Sequence, residues 1–167
     1  EAERPVRLKD IPRWDAESPC PAVVGDEELS HLAFYSDDAE DVTVVITFWG
    51  CVEHRFGAAV GKDGRAVEIL ESHRLHALRA EAAERSVAAV RALKKLRHFR
   101  FAFPEAVFEC LADGYTVKEL PGHTPLKSAS ELAQDLRGAA YSIVPIQYQP
   151  PFFPSSTHNR SNKFLAG

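Results

Sequence analysis

Methionine is missing from this sequence, so residue 1 is not a translation start and the chain reads as trimmed or cleaved. Positive charge is not in excess: 20 Lys+Arg stand against 24 Asp+Glu, a formal net charge of −4. That argues against a broadly cationic surface for nucleic acid or anionic lipid. The amino terminus, EAERPVRLKD, has no apolar signal core. The longest apolar run, 42–52, contains Thr and Gly and is too short to cross a bilayer. Cysteine is sparse. Cys20, Cys51 and Cys110 form no Cys-x-x-Cys, and an odd number cannot all pair within one chain. Cys51 and Cys110 sit in apolar stretches and read as buried free thiols, which fits a reducing, cytoplasmic setting better than a secreted disulfide scaffold. There is no Gly-x-Gly-x-x-Gly, P-loop, Gly-x-Ser-x-Gly or His-Glu-x-x-His, which counts against the commonest nucleotide, hydrolase and zinc-protease classes. No cofactor or metal is implied.

What is present is the balance of an ordinary globular protein: 45% hydrophobic and 26% charged residues over 167 positions, enough for one domain with one sizeable core. Proline concentrates at the two ends. Residues 1–22 read as an extended arm, either anchored by Trp14 or free, and residues 145–167 as an extended Pro/aromatic segment followed by a polar tail. Between them, 23–144 forms the domain.

Within it, 32–35 and 42–49 read as strands around a polar turn; the second is apolar on both faces and belongs in the centre of a sheet. Gly50 marks a bend, and 51–56 a further strand. Residues 72–96 carry a helical pattern whose apolar stripe shifts near Glu84-Arg85-Ser86, with Ser72 as N-cap, so two short helices or one kinked helix are expected. Residues 98–103 alternate cleanly, with Phe99, Phe101 and Phe103 on one face. Pro104 to Ala106 turns the chain back into 107–112, and Asp113-Gly114 leads to a strand at 115–118. Ser128 and Glu131 have capping-box spacing and open a short helix to Arg137, closed by Gly138. The expected fold is α+β: a single antiparallel, or mixed, sheet of five to seven strands with the helices packed on one face. The three phenylalanines should then meet Leu75, Leu78, Val90 and Leu93, contributing about 6 kcal/mol by buried area.

Chemistry concentrates in Glu53-His54-Arg55-Phe56-Gly57. On a strand His54 and Phe56 share one face and Glu53 and Arg55 the other, so Glu53 cannot orient its neighbouring imidazole. The functional reading makes His54 an acid/base, Arg55 an anion clamp and Glu109 a third catalytic member. Arg55, Arg100 and His98 are candidate ligand-binding residues. The structural reading makes them strand charges, with Arg100 and Glu109 paired across a hairpin. His73 and His76 share a helix side, but a metal site needs further ligands. Arg91, Lys94, Lys95, Arg97 and Arg100 cluster where a helix dipole favours cations; segments 26–28 and 37–41 are acidic.

The blocks His54-Arg55-Phe56-Gly57, Glu68 to Ser72 with Leu75 and Leu78, and His98 to Phe103 through Phe108-Glu109-Cys110-Leu111-Ala112 resemble those of an uncharacterised family of small bacterial proteins. The likeness covers residues 42–113. It departs at the hairpin turn, where the family has Phe-His-Asp-Ser-Thr-Phe-Glu and this chain has Phe103-Pro-Glu-Ala-Val-Phe-Glu109. The resemblance implies the fold blocks and a bacterial cytosolic setting, and no mechanism.

Two functions from different classes follow. One is a non-catalytic protein-binding module of immunity or regulatory type, with a protein partner or self-association through 145–167. The other is a small-molecule enzyme or ligand-binding protein using His54 and Arg55 on an anionic substrate.

Overall fold

A computed structural model of the chain describes residues 2–15, 17, 21–25, 29–58 and 64–143. Cys20, the acidic segment 26–28 and the tail 145–167 lie outside them. The α+β class holds, but the strands form two antiparallel sheets in place of the single one expected. In chain order the elements are β1 (Arg4–Arg7), β2 (Ala22–Gly25), β3 (Leu29–Tyr35), β4 (Val42–Trp49), β5 (Glu53–Ala58), β6 (Ala66–Leu70), α1 (His73–Arg85), α2 (Val87–Ala92), β7 (Arg97–Ala102), β8 (Ala106–Ala112), β9 (Gly114–Pro121) and α3 (Pro125–Ile143). The first sheet runs β1-β6-β7-β8-β5 and the second β2-β3-β4-β9.

Side-chain parity explains why two sheets form. Val44, Ile46 and Phe48 of β4 face Phe99, Phe101, Phe108, Cys110 and Ala112 of β7 and β8, all in one buried cluster. The three phenylalanines therefore meet the second sheet and not the helices. Phe48 is the hub: its ring lies 5.3 Å from Phe108, 5.6 Å from Phe101, 5.7 Å from Phe99 and 6.1 Å from Tyr115. Such aromatic contacts add to the area term. The opposite faces take the helices. Leu75, Leu78, Leu93 and Leu96 pack on Leu111, outside the first sheet, while Ala129 and Leu132 of α3 cover Ala33 and Val45 of the second. β4 is apolar on both faces because it is an interior strand with covering layers on both sides.

The sheets are joined by one bent ribbon. β4 pairs with β9 as far as Trp49 and Gly114, and β5 pairs with β8 from Glu53 and Leu111 onward. Between these pairs Gly50, Cys51 and Val52 oppose Ala112 and Asp113, a bulge pinned by Asp113 N–H to the Trp49 carbonyl at 2.8 Å and Val52 N–H to the Leu111 carbonyl at 3.0 Å. Gly50 has φ +60°, and a Cβ there would lie 3.0 Å from Asp113 Oδ2. Only glycine meets both conditions.

The helical region divides where the stripe shifts. Ser86 is extended, ends α1 through its N–H to the Ala82 carbonyl at 3.0 Å, and caps α2 by accepting the Ala89 N–H at 3.1 Å. Ser72 caps α1, accepting the Leu75 N–H at 3.2 Å. α3 departs from expectation: Thr124 precedes it, accepting the Lys127 N–H at 3.4 Å, Pro125 opens it, and it continues past Gly138. Pro at the first helical position has no N–H to lose, which is why the start lies there and not at Ser128.

The arm is built into the fold. β1 pairs with β6, Leu8 is buried, and Trp14 lies 4.7 Å from Phe103 and 5.8 Å from Phe34. Asp10 accepts the Tyr115 hydroxyl at 2.7 Å, and Arg13 pairs with Asp38 at 3.0 Å. No helix among the described residues is long and apolar enough to cross a membrane.

Two stability outcomes follow. Phe48→Ala should cost about 3–5 kcal/mol in urea denaturation, since the hub leaves a cavity that rigid strands cannot close. Gly50→Ala should cost about 1–3 kcal/mol, a backbone penalty at an exposed turn where side-chain burial predicts none.

Candidate functional site

The structure divides the residues singled out from sequence between two faces of the first sheet. On the outer face Arg55, Glu109 and Arg100 form one row across β5, β8 and β7, and Glu53, Leu111 and His98 form the next. α1 sets Arg74 between the rows. Its guanidinium reaches Glu53, with Nε to Oε2 at 3.1 Å, and Glu109 at 3.6 Å; Arg100 holds the other Glu109 oxygen. Arg55 remains outermost, 3.6 Å from Glu53. The Arg100–Glu109 cross-strand pair expected from the hairpin is present. The carboxylates here are fully engaged by arginines, and Arg74 beside Glu53 holds that carboxyl below its usual range. Three guanidiniums hold two carboxylates, and the network clamps α1 to the sheet.

His98 belongs to the same face and is buried. Its Nδ1 lies 2.8 Å from Ser72 Oγ, the oxygen that also accepts the Leu75 N–H at the start of α1. Burial pushes the imidazole below its ordinary range, which favours the neutral ring beside the serine hydroxyl. A cavity of about 220 Å³ opens beside it, bounded by Glu71, His76, Arg79 and Arg97.

His54 faces the other way. It is the register partner of Cys110 and stacks on Phe108 at 6.2 Å, at the rim between the two sheets. His54 and the pair Arg55 and Glu109 therefore do not converge, because adjacent strand residues point to opposite faces. His73 and His76 lie on the exposed side of α1, 4.0 Å from Glu3 and 3.7 Å from Glu71 respectively. Among the described residues no group of three or more His, Cys, Asp or Glu is arranged to hold a metal ion.

A further concavity lies elsewhere, under the arm. A groove of about 530 Å³ is walled by Leu8, Ile11, Pro12, Trp14, Ala66 and Pro104, with Arg7, Arg13 and Arg65 at its rim. Arg13 is occupied by Asp37 and Asp38. Among the described residues Arg7 and Arg65 have no acidic partner. The volume is that of a small-ligand site, and two guanidiniums with no acidic partner among the described residues, over an apolar floor, favour an anion with an apolar body. Sequence reading found Trp14 but not this groove. Arg7 and Arg65 are 58 positions apart by number and meet only because β1 pairs with β6.

The fold and groove define an α+β protein of two packed antiparallel sheets, each covered by helix, with a cationic groove at one end. Comparison with known proteins yields no matching family model, no matching curated protein and no matching solved structure. The resemblance in residues 42–113 thus rests on its residue blocks alone.

The His98–Ser72 contact has a pH signature. The fold holds His98 neutral, whereas the unfolded chain takes up a proton below about pH 6.5. The contribution is complete above that value and is lost as pH falls through the lower folded value. The urea midpoint should therefore drop between pH 7.5 and 5.5, and His98→Gln should flatten that drop; equal drops would remove His98 as its source.

Proposed function

We propose that this protein binds a ligand joining an anionic head to an apolar body, in the groove between the arm and the edge of the first sheet. The observation that carries this reading is the pair Arg7 and Arg65, which have no acidic partner among the described residues, above an apolar wall containing Trp14. A carboxylate or similar group would take charge-assisted hydrogen bonds from the arginines, while its apolar part displaces water from Leu8, Ile11 and Trp14. This retains the anionic ligand expected from sequence and moves it from His54 and Arg55 to the arm. The protein-binding module of immunity or regulatory type, the first reading of the sequence, drew in part on 145–167, outside the described residues, and takes second place.

The test uses Trp14 as reporter in a Trp49→Phe background, with 2-naphthoate and decanoate as probes. Saturable quenching is expected, weakened by added salt and absent with the uncharged 2-naphthamide. Arg7→Ala with Arg65→Ala should reduce affinity about tenfold or more. Equal binding of naphthoate and naphthamide, or an unchanged affinity in the double variant, would overturn the reading.

A further inference from the structure

Among the described residues the open sheet edges are β1 and β5 in the first sheet and β2 and β9 in the second. An open edge offers unpaired backbone groups to any strand it meets, and proteins guard it with proline, charge or brevity. β1 carries Pro5 between Arg4 and Arg7, β9 carries Lys118 and Pro121, and β2 is only four residues long. β5 is six residues long, with neither proline nor lysine, and all but Glu53 are exposed. Exposed apolar side chains gather at this edge: Phe56 is 45% exposed and Val52, just before the strand, 54%. We propose that β5 is a dimerisation edge. The β5 of a second copy of this chain pairs with it antiparallel, about a two-fold axis at His54, and joins the two first sheets, five strands each, into one continuous sheet.

The backbone of β5 is set for this pairing. Phe103 N–H bonds to the Ala106 carbonyl at 2.7 Å where β7 turns into β8. Bonded and non-bonded pairs alternate along antiparallel strands. The register of β7 with β8 therefore assigns the bonds to Phe101–Phe108 and Phe99–Cys110. The alternate residues of β8, Val107, Glu109 and Leu111, turn their backbone groups the other way, to Gly57, Arg55 and Glu53 of β5. His54 and Phe56 are the remaining positions, and they direct N–H and C=O away from β8 to the open edge.

The side chains select one register and one occupant. Two-fold pairing of antiparallel strands places residues of the same parity opposite one another, so the register follows from the residue on the axis. With Arg55 on the axis, two guanidiniums meet and Glu53 faces Gly57. With Phe56 on the axis, two rings meet but Arg55 faces Gly57. With His54 on the axis, each Arg55 faces Glu53 of the other copy, and each Phe56 faces the bulge residue Val52. Only this last register sets charge against opposite charge and apolar against apolar. Arg55 is suited to the contact, because its side chain is 70% exposed and already the outermost guanidinium beside Glu53. The run Val52-Glu-His-Arg-Phe56 reads apolar, acid, imidazole, base, apolar, and so is complementary to itself when reversed. That symmetry favours a second copy over an unrelated strand. The groove under the arm lies at the β1 edge, so it stays open in the dimer.

The experiment uses the full chain with Cys20→Ser. Sedimentation velocity between about 5 and about 500 µM should show a shift from monomer to dimer, the range of a short edge contact. Phe56→Lys adds a guard at an exposed position. It should weaken the dimer about tenfold or more and leave the urea midpoint of the dilute protein unchanged. Cysteine scanning reads the register: His54→Cys should cross-link two chains on mild oxidation, since the axis sets these Cα atoms about 5.5 Å apart. Arg55→Cys and Phe56→Cys should cross-link more slowly. A chain that stays monomeric over this range, an unchanged dimer in Phe56→Lys, or fastest cross-linking at Arg55→Cys or Phe56→Cys would overturn the proposal.

Discussion

β4 continues into β5, and β8 continues into β9, through the same corner. Because β4 pairs with β9 and β5 with β8, the two connections form one antiparallel ribbon that belongs to both sheets. Its bend needs a residue at positive φ with no side chain against Asp113, and Gly50 supplies it. The register on each side of the bulge sets which residues face inward. Phe48 before it and Phe108 and Cys110 after it all reach the space between the sheets. A slip of one residue at the corner would turn Phe108 outward and Glu109 into the core, a change that no local adjustment could offset.

The same parity separates the chemistry. The outer face of the first sheet receives Glu53, Arg55, His98, Arg100 and Glu109, and α1 docks there through Arg74 and the Ser72–His98 contact. Arginine and carboxylate neutralise one another at a half-buried helix–sheet contact, which favours orientation of α1 over reactivity. The inner face receives the two thiols within the core and His54 at its rim, stacked on Phe108. Adjacent residues of one short strand thus serve separate purposes. Their closeness in sequence reflects alternation along β5 and not a shared site.

Local signals in the sequence proved legible where they came from short-range chemistry. The clean alternation at Phe99, Phe101 and Phe103, the turn at Pro104, the serine at the start of α1 and the stripe shift at Ser86 all match observed elements. The Arg100–Glu109 pair was legible because a tight hairpin sets its own register. Two kinds of information were not. α3 begins at Pro125 because a Thr-Pro start competed with a capping box four residues later, and a Pro at the first helical position behind a Thr cap takes precedence. The groove was hidden because β1 is short and charged and reads as arm until β6 offers it an edge.

From the sequence alone came the class of fold, the identity of most strands and helices, the inward phenylalanine face and the opposition of His54 to Arg55, since each depends on backbone periodicity within a few residues. Tertiary structure alone decided that the strands form two sheets, that the phenylalanines meet Phe48 and not a helix, that Cys51 and Cys110 both enter the core between the sheets, and that Arg7 and Arg65 flank one groove. Those facts depend on pairing between strands far apart in the chain, and the free energy of such pairing lies in faces covered only after the whole sandwich closes.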